Sequence, residues 1–260
     1  MSYVLGHTDR ELDRLDLQGF LYRSITEWTF VEAGIAEGMR VLDIGCGSGD
    51  VSRVVSGLVG RSGSVLGVDR DADTVARATA RAEAEGVTNV EYRVAELGGG
   101  VDGGPFDALV GRFILMHQKN PGAVLGQCAA AVRPAGVVAM IESHMTALLA
   151  GPHSMPFSPY FDDIVQWKGR VVSGAGADSE AGLRLADSFA RAGLPHPTMR
   201  LHGEVAGGPD TPFYRYMAES CRSMLPSALE QGIEGMTEAE VDVMEATLRE
   251  EGSLPGSVFV

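Results

Sequence analysis

Residues 41–50 read Val-Leu-Asp-Ile-Gly-Cys-Gly-Ser-Gly-Asp. Val41, Leu42 and Ile44 have the character of a strand buried on both faces, and the run passes directly into glycines at 45, 47 and 49. Glycine at these places permits backbone angles, and a close approach of main chain to a ligand, that a Cβ would forbid. Asp50-Val51-Ser52-Arg53-Val54-Val55 then opens a helical pattern. A strand, a glycine turn and a helix N-terminus in that order direct backbone N–H groups at polar ligand atoms, so the stretch predicts a cofactor pocket at the first β-α junction of an α/β sheet.

The spacing bears on which cofactor. A dinucleotide turn uses G-x-G-x-x-G, whereas here the glycines alternate as G-x-G-x-G and position 50 is Asp. The next strand pattern, Ser64-Val65-Leu66-Gly67-Val68, ends at Asp69. A carboxylate at that strand end accepts hydrogen bonds from the ribose hydroxyls of an adenosine in either class, so Asp69 by itself leaves the class open.

The chain resembles the class I S-adenosylmethionine-dependent methyltransferases, specifically the small-molecule, quinone-biosynthesis-like branch. The resemblance rests on 41–49, on Gly67-Val68-Asp69-Arg70, on Val90–Leu97, on Phe106–His117 and on Val132–Glu142, which occur in the family's order and at its intervals. It is specific from about Met39 to Glu142 and vague beyond. It implies a Rossmann-like, doubly wound, mostly parallel sheet with helices on both faces and a helical lid. The cofactor it implies is S-adenosylmethionine.

Carried over residue by residue, the resemblance brings Gly45, Gly47 and Gly49 to the methionine and ribose portions of the cofactor, with Cys46 packing within the loop and Asp43 orienting the loop or the amino group. Asp69 would bind the ribose diol and Arg70 would lie beside the adenine. Ala95-Glu96-Leu97 stands where the family commonly has Gly-Asp-Ala, so Glu96 keeps a carboxylate one methylene longer. Gly111, Arg112, Phe113 and His117 would border the methionine end, and Tyr3 and Gln18 would close the pocket from the N-terminal side.

Methyl transfer from a sulfonium is an in-line displacement for which positioning supplies much of the rate, about 7–11 kcal/mol, so no covalent catalyst is required. The acid–base candidates are His117, Glu142, His144 and His153, at or after strand ends facing the expected crevice; histidine suits the role because it titrates near neutral pH. His144, His153, Asp162 and Asp163 match no metal-ligand spacing, and no metal is expected. The three cysteines, 46, 128 and 221, are odd in number and widely separated, which provides neither a disulfide framework nor a metal knuckle.

A net charge of −14 disfavours extended contact with a nucleic-acid backbone. No apolar run approaches the roughly 20 residues of a membrane helix, and the first ten residues lack a basic stretch followed by an apolar one. A cytoplasmic protein acting on a small organic acceptor, without nucleic acid or membrane as partner, is the expectation; a homodimer is compatible with the sequence and not required by it. The other readings are a non-methylating reaction at the same cradle, such as a cyclisation, and a nicotinamide-dependent oxidoreductase, which the missing glycine at position 50 disfavours.

Along the chain, Thr8 and Glu11 have the capping-box pattern before an N-terminal helical cap over 1–38. Strand patterns at 41–44, 64–68, 90–94, 106–110 and 137–142 alternate with helical ones in a cofactor-binding core over 39–142. Asn120-Pro121 and Gly86 read as a helix start and a helix end. Residues 143–178, with Met145, Met155, Phe157, Tyr160, Phe161 and Trp167, read as a substrate lid, since a structureless connection of that length is improbable. Residues 179–260 complete the fold, with a helix over 179–192, a strand over 198–204, helices from Pro212 and Thr237, and a last strand at 257–260. The Met and aromatic residues of this half, including Trp167, Tyr214, Tyr216, Met217 and Met224, fit an apolar acceptor pocket or a plain core equally well.

Overall fold

A computed structural model describes residues 9–145 and 151–260. The chain divides into two units, one formed by Tyr22–Ser143 with Ala181–Met199, the other by the described parts of Met1–Leu21, His144–Glu180 and Arg200–Val260. This division differs from the expected linear one. Residues 181–199 join the sheet unit, and residues up to Leu21 join the helical unit.

The sheet unit begins with α2 (Arg23–Glu32) and then alternates β1 (Arg40–Ile44), α3 (Asp50–Val59), β2 (Ser64–Asp69), α4 (Ala72–Ala84), β3 (Val90–Val94), β4 (Phe106–Arg112), α5 (Pro121–Ala129) and β5 (Val132–Ile141). The five strands pair in parallel in the order β3-β2-β1-β4-β5. Successive residues of the central strands serve opposite faces, as the two-residue period requires. Val41, Ala108 and Val110 pack with Phe30, Val51 and Val55 beneath α2 and α3, while Leu42, Ile44 and Leu109 pack with Leu125, Cys128 and Phe189 on the other face. Helices on both faces and a parallel sheet confirm the doubly wound architecture. Its strand order reverses between β1 and β4, and in such sheets the crevice outside the carboxyl ends of those two strands is the ligand position.

The local signals hold where they act locally. Asn120 accepts from Ala123 N at 3.3 Å to cap α5, with Pro121 in its first turn. Gly86, at φ +69°, follows the end of α4. β5 starts earlier than the apolar run implied: Phe106 pairs with Val132, and the register then jumps to Ala108 with Val137 across an irregularity at Arg133–Gly136. The helix expected over 179–192 is shorter, α7 (Leu185–Arg191), and lies against α5, where a Cβ on Gly122 would collide with Arg191 and one on Gly126 would crowd Ala192 at 3.2 Å. The strand expected at 198–204 is absent. Met199, Leu201 and Val205 are exposed, and only Ala206 makes a bridge, to Phe259. Alternation along one segment does not make a strand without a neighbouring edge to take its backbone groups.

The helical unit contains α1 (Asp9–Leu21), α6 (Pro159–Gly174), α8 (Phe213–Gln231) and α9 (Glu238–Gly252), with a two-residue antiparallel pairing of β6 (Ser154–Met155) and β7 (Val258–Phe259). Ser158 caps α6 by accepting from Phe161 N at 3.0 Å and donates to Glu251 Oε2 at 2.5 Å. Thr237 and Glu240 form the expected capping box of α9; the Thr8–Glu11 pattern lies outside the described side chains. Trp167, Tyr214, Met217 and Met224 are buried, and the Phe161 ring packs against Phe259 at a tilt, with centroids 4.6 Å apart. These residues therefore form the core of this unit, whereas Met155 and Phe157 are exposed. Among the described residues no helix is long and apolar enough to cross a membrane.

Candidate functional site: the glycine loop and the ends of β1, β2 and β4

β1 ends at Ile44, and the chain turns through Gly45, Gly47 and Gly49 at φ of +67°, +52° and +83° before α3 begins. All three angles are left-handed, which glycine adopts without strain. The glycines differ in what surrounds them. A Cβ on Gly45 would come within 2.5 Å of the Ile114 side chain, and one on Gly49 would collide with the Tyr92 hydroxyl, whereas a Cβ on Gly47 would meet nothing within 4 Å. Gly47 is thus where backbone borders open space. The loop is tied down by Gly45 N and Cys46 N, which donate to Val68 O at 2.8 and 3.0 Å.

Asp69, at the end of β2, accepts from Gly47 N through Oδ2 and from Asp71 N through Oδ1, each at 3.1 Å. A carboxylate oxygen carries two lone-pair sites, so each oxygen retains capacity for one further hydrogen bond. Asp43 is 1% exposed; its Oδ2 accepts from Ser52 Oγ at 2.6 Å, and its Oδ1 is buried with no hydrogen-bond partner among the described residues. Burial raises its pKa to about 7, against the lowering effects of the Ser52 hydrogen bond and the Arg112 charge. Cys46 is 5% exposed, and burial followed by the Asp43 and Asp69 charges pushes its thiol well above the usual range. It packs in the loop as a small apolar residue and is no nucleophile.

At the neighbouring strand end, Ala95 N donates to Asp69 O at 2.9 Å, Glu96 is exposed and Leu97 is buried in the core. Arg70 is exposed and raises the cost of charging His117, whose pKa falls to about 4, chiefly through desolvation. His117 is therefore a neutral imidazole at physiological pH.

After β4 the backbone turns at Phe113, a non-glycine residue at φ +56°, whose N donates to Ile141 O at 2.8 Å. A left-handed aromatic residue is strained, and such strain persists where surrounding bonds hold it. Glu142, next after β5, supplies them: its carboxylate accepts from Ile114 N (3.0 Å), Leu115 N (2.7 Å) and Met116 N (3.3 Å). Three charge-assisted bonds to backbone make Glu142 the clamp of the 113–117 loop, a structural role beside the acid–base one expected of it. Gly111 also has an internal reason, since a Cβ there would come within 2.7 Å of Met140 Cε and 3.1 Å of Ile44 Cγ1.

Arg112 donates to Thr26 Oγ1 at 2.9 Å, lies 4.0 Å from Asp50 Oδ2 and sits 5.8 Å from the Phe113 ring centroid, with its side chain 5% exposed. Asp50 is held as well by Arg53 at 2.6 Å and Arg81 at 3.6 Å. The first helical residue after the glycines is thus an ion-pair hub, a role that sequence alone did not reveal.

The remaining expected residues fall in the other unit or outside the described residues. Tyr3 is outside the described residues. Gln18 belongs to α1 of the helical unit, where its Oε1 accepts from Arg14 Nη1 at 2.7 Å. His144 and His153 also belong to that unit. His153, 3% exposed, contacts Asp162 through Nδ1 at 2.8 Å. Among the described residues no group of three or more His, Cys, Asp or Glu side chains is arranged to hold a metal. Reading residue by residue missed Ser52 and Tyr92, although Gly67 in the interior of β2 is the signal of a close approach that leads to both.

A family model described as a methyltransferase domain matches residues 35–167, just over half of the chain. Among curated proteins, the ubiquinone biosynthesis O-methyltransferase of Maricaulis maris is 36% identical over 104 residues, which is 39% of this chain and 39% of that one. The protein of the same name from Acinetobacter baylyi is 28% identical over 169 residues, 62% and 69% of the two chains. The chain spans about two fifths of the length of the first of these relatives. In the solved structure of the YcgJ protein from Bacillus subtilis the fold is shared at a TM-score of 0.58 and 17% identity, over 84% of this chain and 87% of that one.

Proposed function

Because the chain belongs to the methyltransferase-domain family, we propose that its sheet unit binds S-adenosylmethionine at the glycine loop and that the protein methylates a small, largely apolar organic acceptor. When bound, this cofactor supplies an electrophilic methyl group on a sulfonium. The observation that carries the reading is the combination of open space at Gly47, residual acceptor capacity on Asp69 and a buried, unpartnered Asp43 Oδ1. These three features fit a molecule with a slender, cationic amino-acid tail and a ribose. Gly45, Gly47 and Gly49 would lie along the tail and ribose, Asp69 would take the ribose hydroxyls, and Arg70 and Glu96 would flank the base. The Glu142 clamp holds the 111–117 segment in shape beside them, and neutral His117 offers a hydrogen bond without charge.

The names of the curated relatives support a phenolic, quinone-precursor-like hydroxyl as the acceptor. A cytoplasmic location accords with the composition. Calorimetric titration with S-adenosylhomocysteine tests the cofactor reading. Asp69→Ala removes two ribose hydrogen bonds to a charged acceptor, roughly 1.5–3 kcal/mol each before water compensates, so affinity should fall at least tenfold. Unchanged affinity would remove Asp69 from the site. Incubation with methyl-labelled cofactor and phenolic acceptors tests the transfer: a product one methylene heavier supports it, and a product of unchanged mass points to a non-methylating reaction.

A further inference from the structure

Cofactor contact does not account for what lies beneath the glycine loop. Gly67 in β2 is the register partner of Tyr92 in β3. A Cβ on Gly67 would come within 2.7 Å of Tyr92 Cδ1 and 2.8 Å of Ser52 Oγ, so the tyrosine ring lies across a glycine-made gap in the sheet. The phenol then reaches under Gly49, donating to Gly49 O at 3.4 Å. Ser52, on the first turn of α3, donates to Asp43 Oδ2 at 2.6 Å. The Tyr92 ring and the Ser52 hydroxyl thus share the gap over Gly67, and the hydroxyl ends on Asp43, whose other oxygen is buried without a partner among the described residues.

An unsatisfied buried carboxylate oxygen is costly, and native structures keep one where a ligand completes it. We infer that Ser52 is a positioning residue that, with the Tyr92 ring packed beside it, holds the Asp43 carboxylate with Oδ1 presented to the ammonium of the cofactor's amino-acid tail. The inference rests on the cofactor reading above. Ser52 gives its single hydroxyl proton to Asp43 Oδ2, and the Tyr92 ring beside it fills the Gly67 gap so that the hydroxyl keeps that aim. That bond favours the ionised carboxylate, with Arg112, against burial and the nearby Asp69 charge. Cys46 and Arg53 are the other titratable groups facing this cluster. Tyr92 itself stays protonated, because burial drives its phenol well above the ordinary range.

The test compares two probes, S-adenosylhomocysteine and 5′-methylthioadenosine, which share the nucleoside and differ in the amino-acid tail. Ser52→Ala deletes only the hydroxyl that Asp43 accepts. It should weaken S-adenosylhomocysteine about three- to tenfold, the scale of one hydrogen bond, and leave 5′-methylthioadenosine within twofold. The pH midpoint of S-adenosylhomocysteine affinity should also move upward, because the carboxylate loses support for its charge. Tyr92→Phe, which keeps the ring in the Gly67 gap and deletes a hydroxyl bonded to Gly49 O, should leave the ratio of the two affinities within twofold of wild type, and a change in that ratio would move the role from Ser52 to the phenol. Equal weakening of both probes by Ser52→Ala, or no weakening of either, overturns the positioning role and leaves Ser52 a packing residue of α3. If wild type binds neither probe, the cofactor reading itself falls, and this inference with it.

Discussion

Replacing Gly47 by alanine separates the two properties assigned to the loop. Its φ of +52° imposes the left-handed penalty on any side chain, about 1–2 kcal/mol. Because a Cβ there meets nothing within 4 Å, no packing clash adds to that. For a chain of this size the melting temperature should fall by about 2–8 °C. Gly45→Ala is the contrast, since its Cβ would drive into Ile114 at 2.5 Å, and overpacking of that kind adds about 1–3 kcal/mol. Ligand binding should rank the two differently. A methyl at position 47 would occupy space assigned to the cofactor, and the same overpacking scale corresponds to a loss of up to about 100-fold in affinity. S-adenosylhomocysteine at a hundred times its wild-type dissociation constant should stabilise wild type by about 2.7 kcal/mol and Gly47→Ala by about 0.4 kcal/mol. Thermal melts with and without ligand, run beside calorimetric titration, read both quantities. If Gly47→Ala melts as expected yet binds within threefold of wild type, the open face of the loop is not the cofactor surface and the reasoning is refuted.

Two further outcomes follow from the same geometry. Glu142→Gln puts an amide where three backbone N–H donors converge; it should lower stability by about 2–4 kcal/mol and weaken cofactor affinity, whereas a base would cost turnover with the melting temperature unchanged. Asp43, with a folded pKa of about 7 against 3.8, holds a proton in the native state that the unfolded chain has released. Its contribution is therefore full below about pH 4 and is lost as pH rises through 7. His117, lowered to about 4, acts in the opposite sense between pH 4 and 6.5, so the wild type alone does not report Asp43. Denaturant titrations at pH 5 and 8 should show that Asp43→Asn removes about 2–3 kcal/mol of the wild-type decline between them; an unchanged decline would mean Asp43 is ionised throughout.

Much of the site was legible because it is local. The left-handed glycines, Asp69 at a strand end and the Asn120 cap depend on residues within a turn of one another, and backbone sterics dictate them wherever they occur. The roles of Glu142 and Arg112 were not legible, because their partners, Ile114 to Met116 for the one and Thr26 and Asp50 for the other, are distant in sequence. The failed strand at 198–204 has the same cause, since alternation says nothing of whether another strand's edge will be waiting. The tyrosine beneath the loop was announced only by a lone Gly67, whose meaning required knowing that β3 lies beside β2.

By itself, then, the order of residues determined the alternation of strands and helices and the glycine turn. These follow from side-chain period and backbone freedom, which act over a few residues. Tertiary structure alone decided which carboxylates keep an open acceptor and which brace the protein. Asp43, Asp69 and Glu142 are similar acids at or near the carboxyl ends of β1, β2 and β5, and only the backbone donors, hydroxyls and buried space folded around each distinguish an acceptor left open from one already filled.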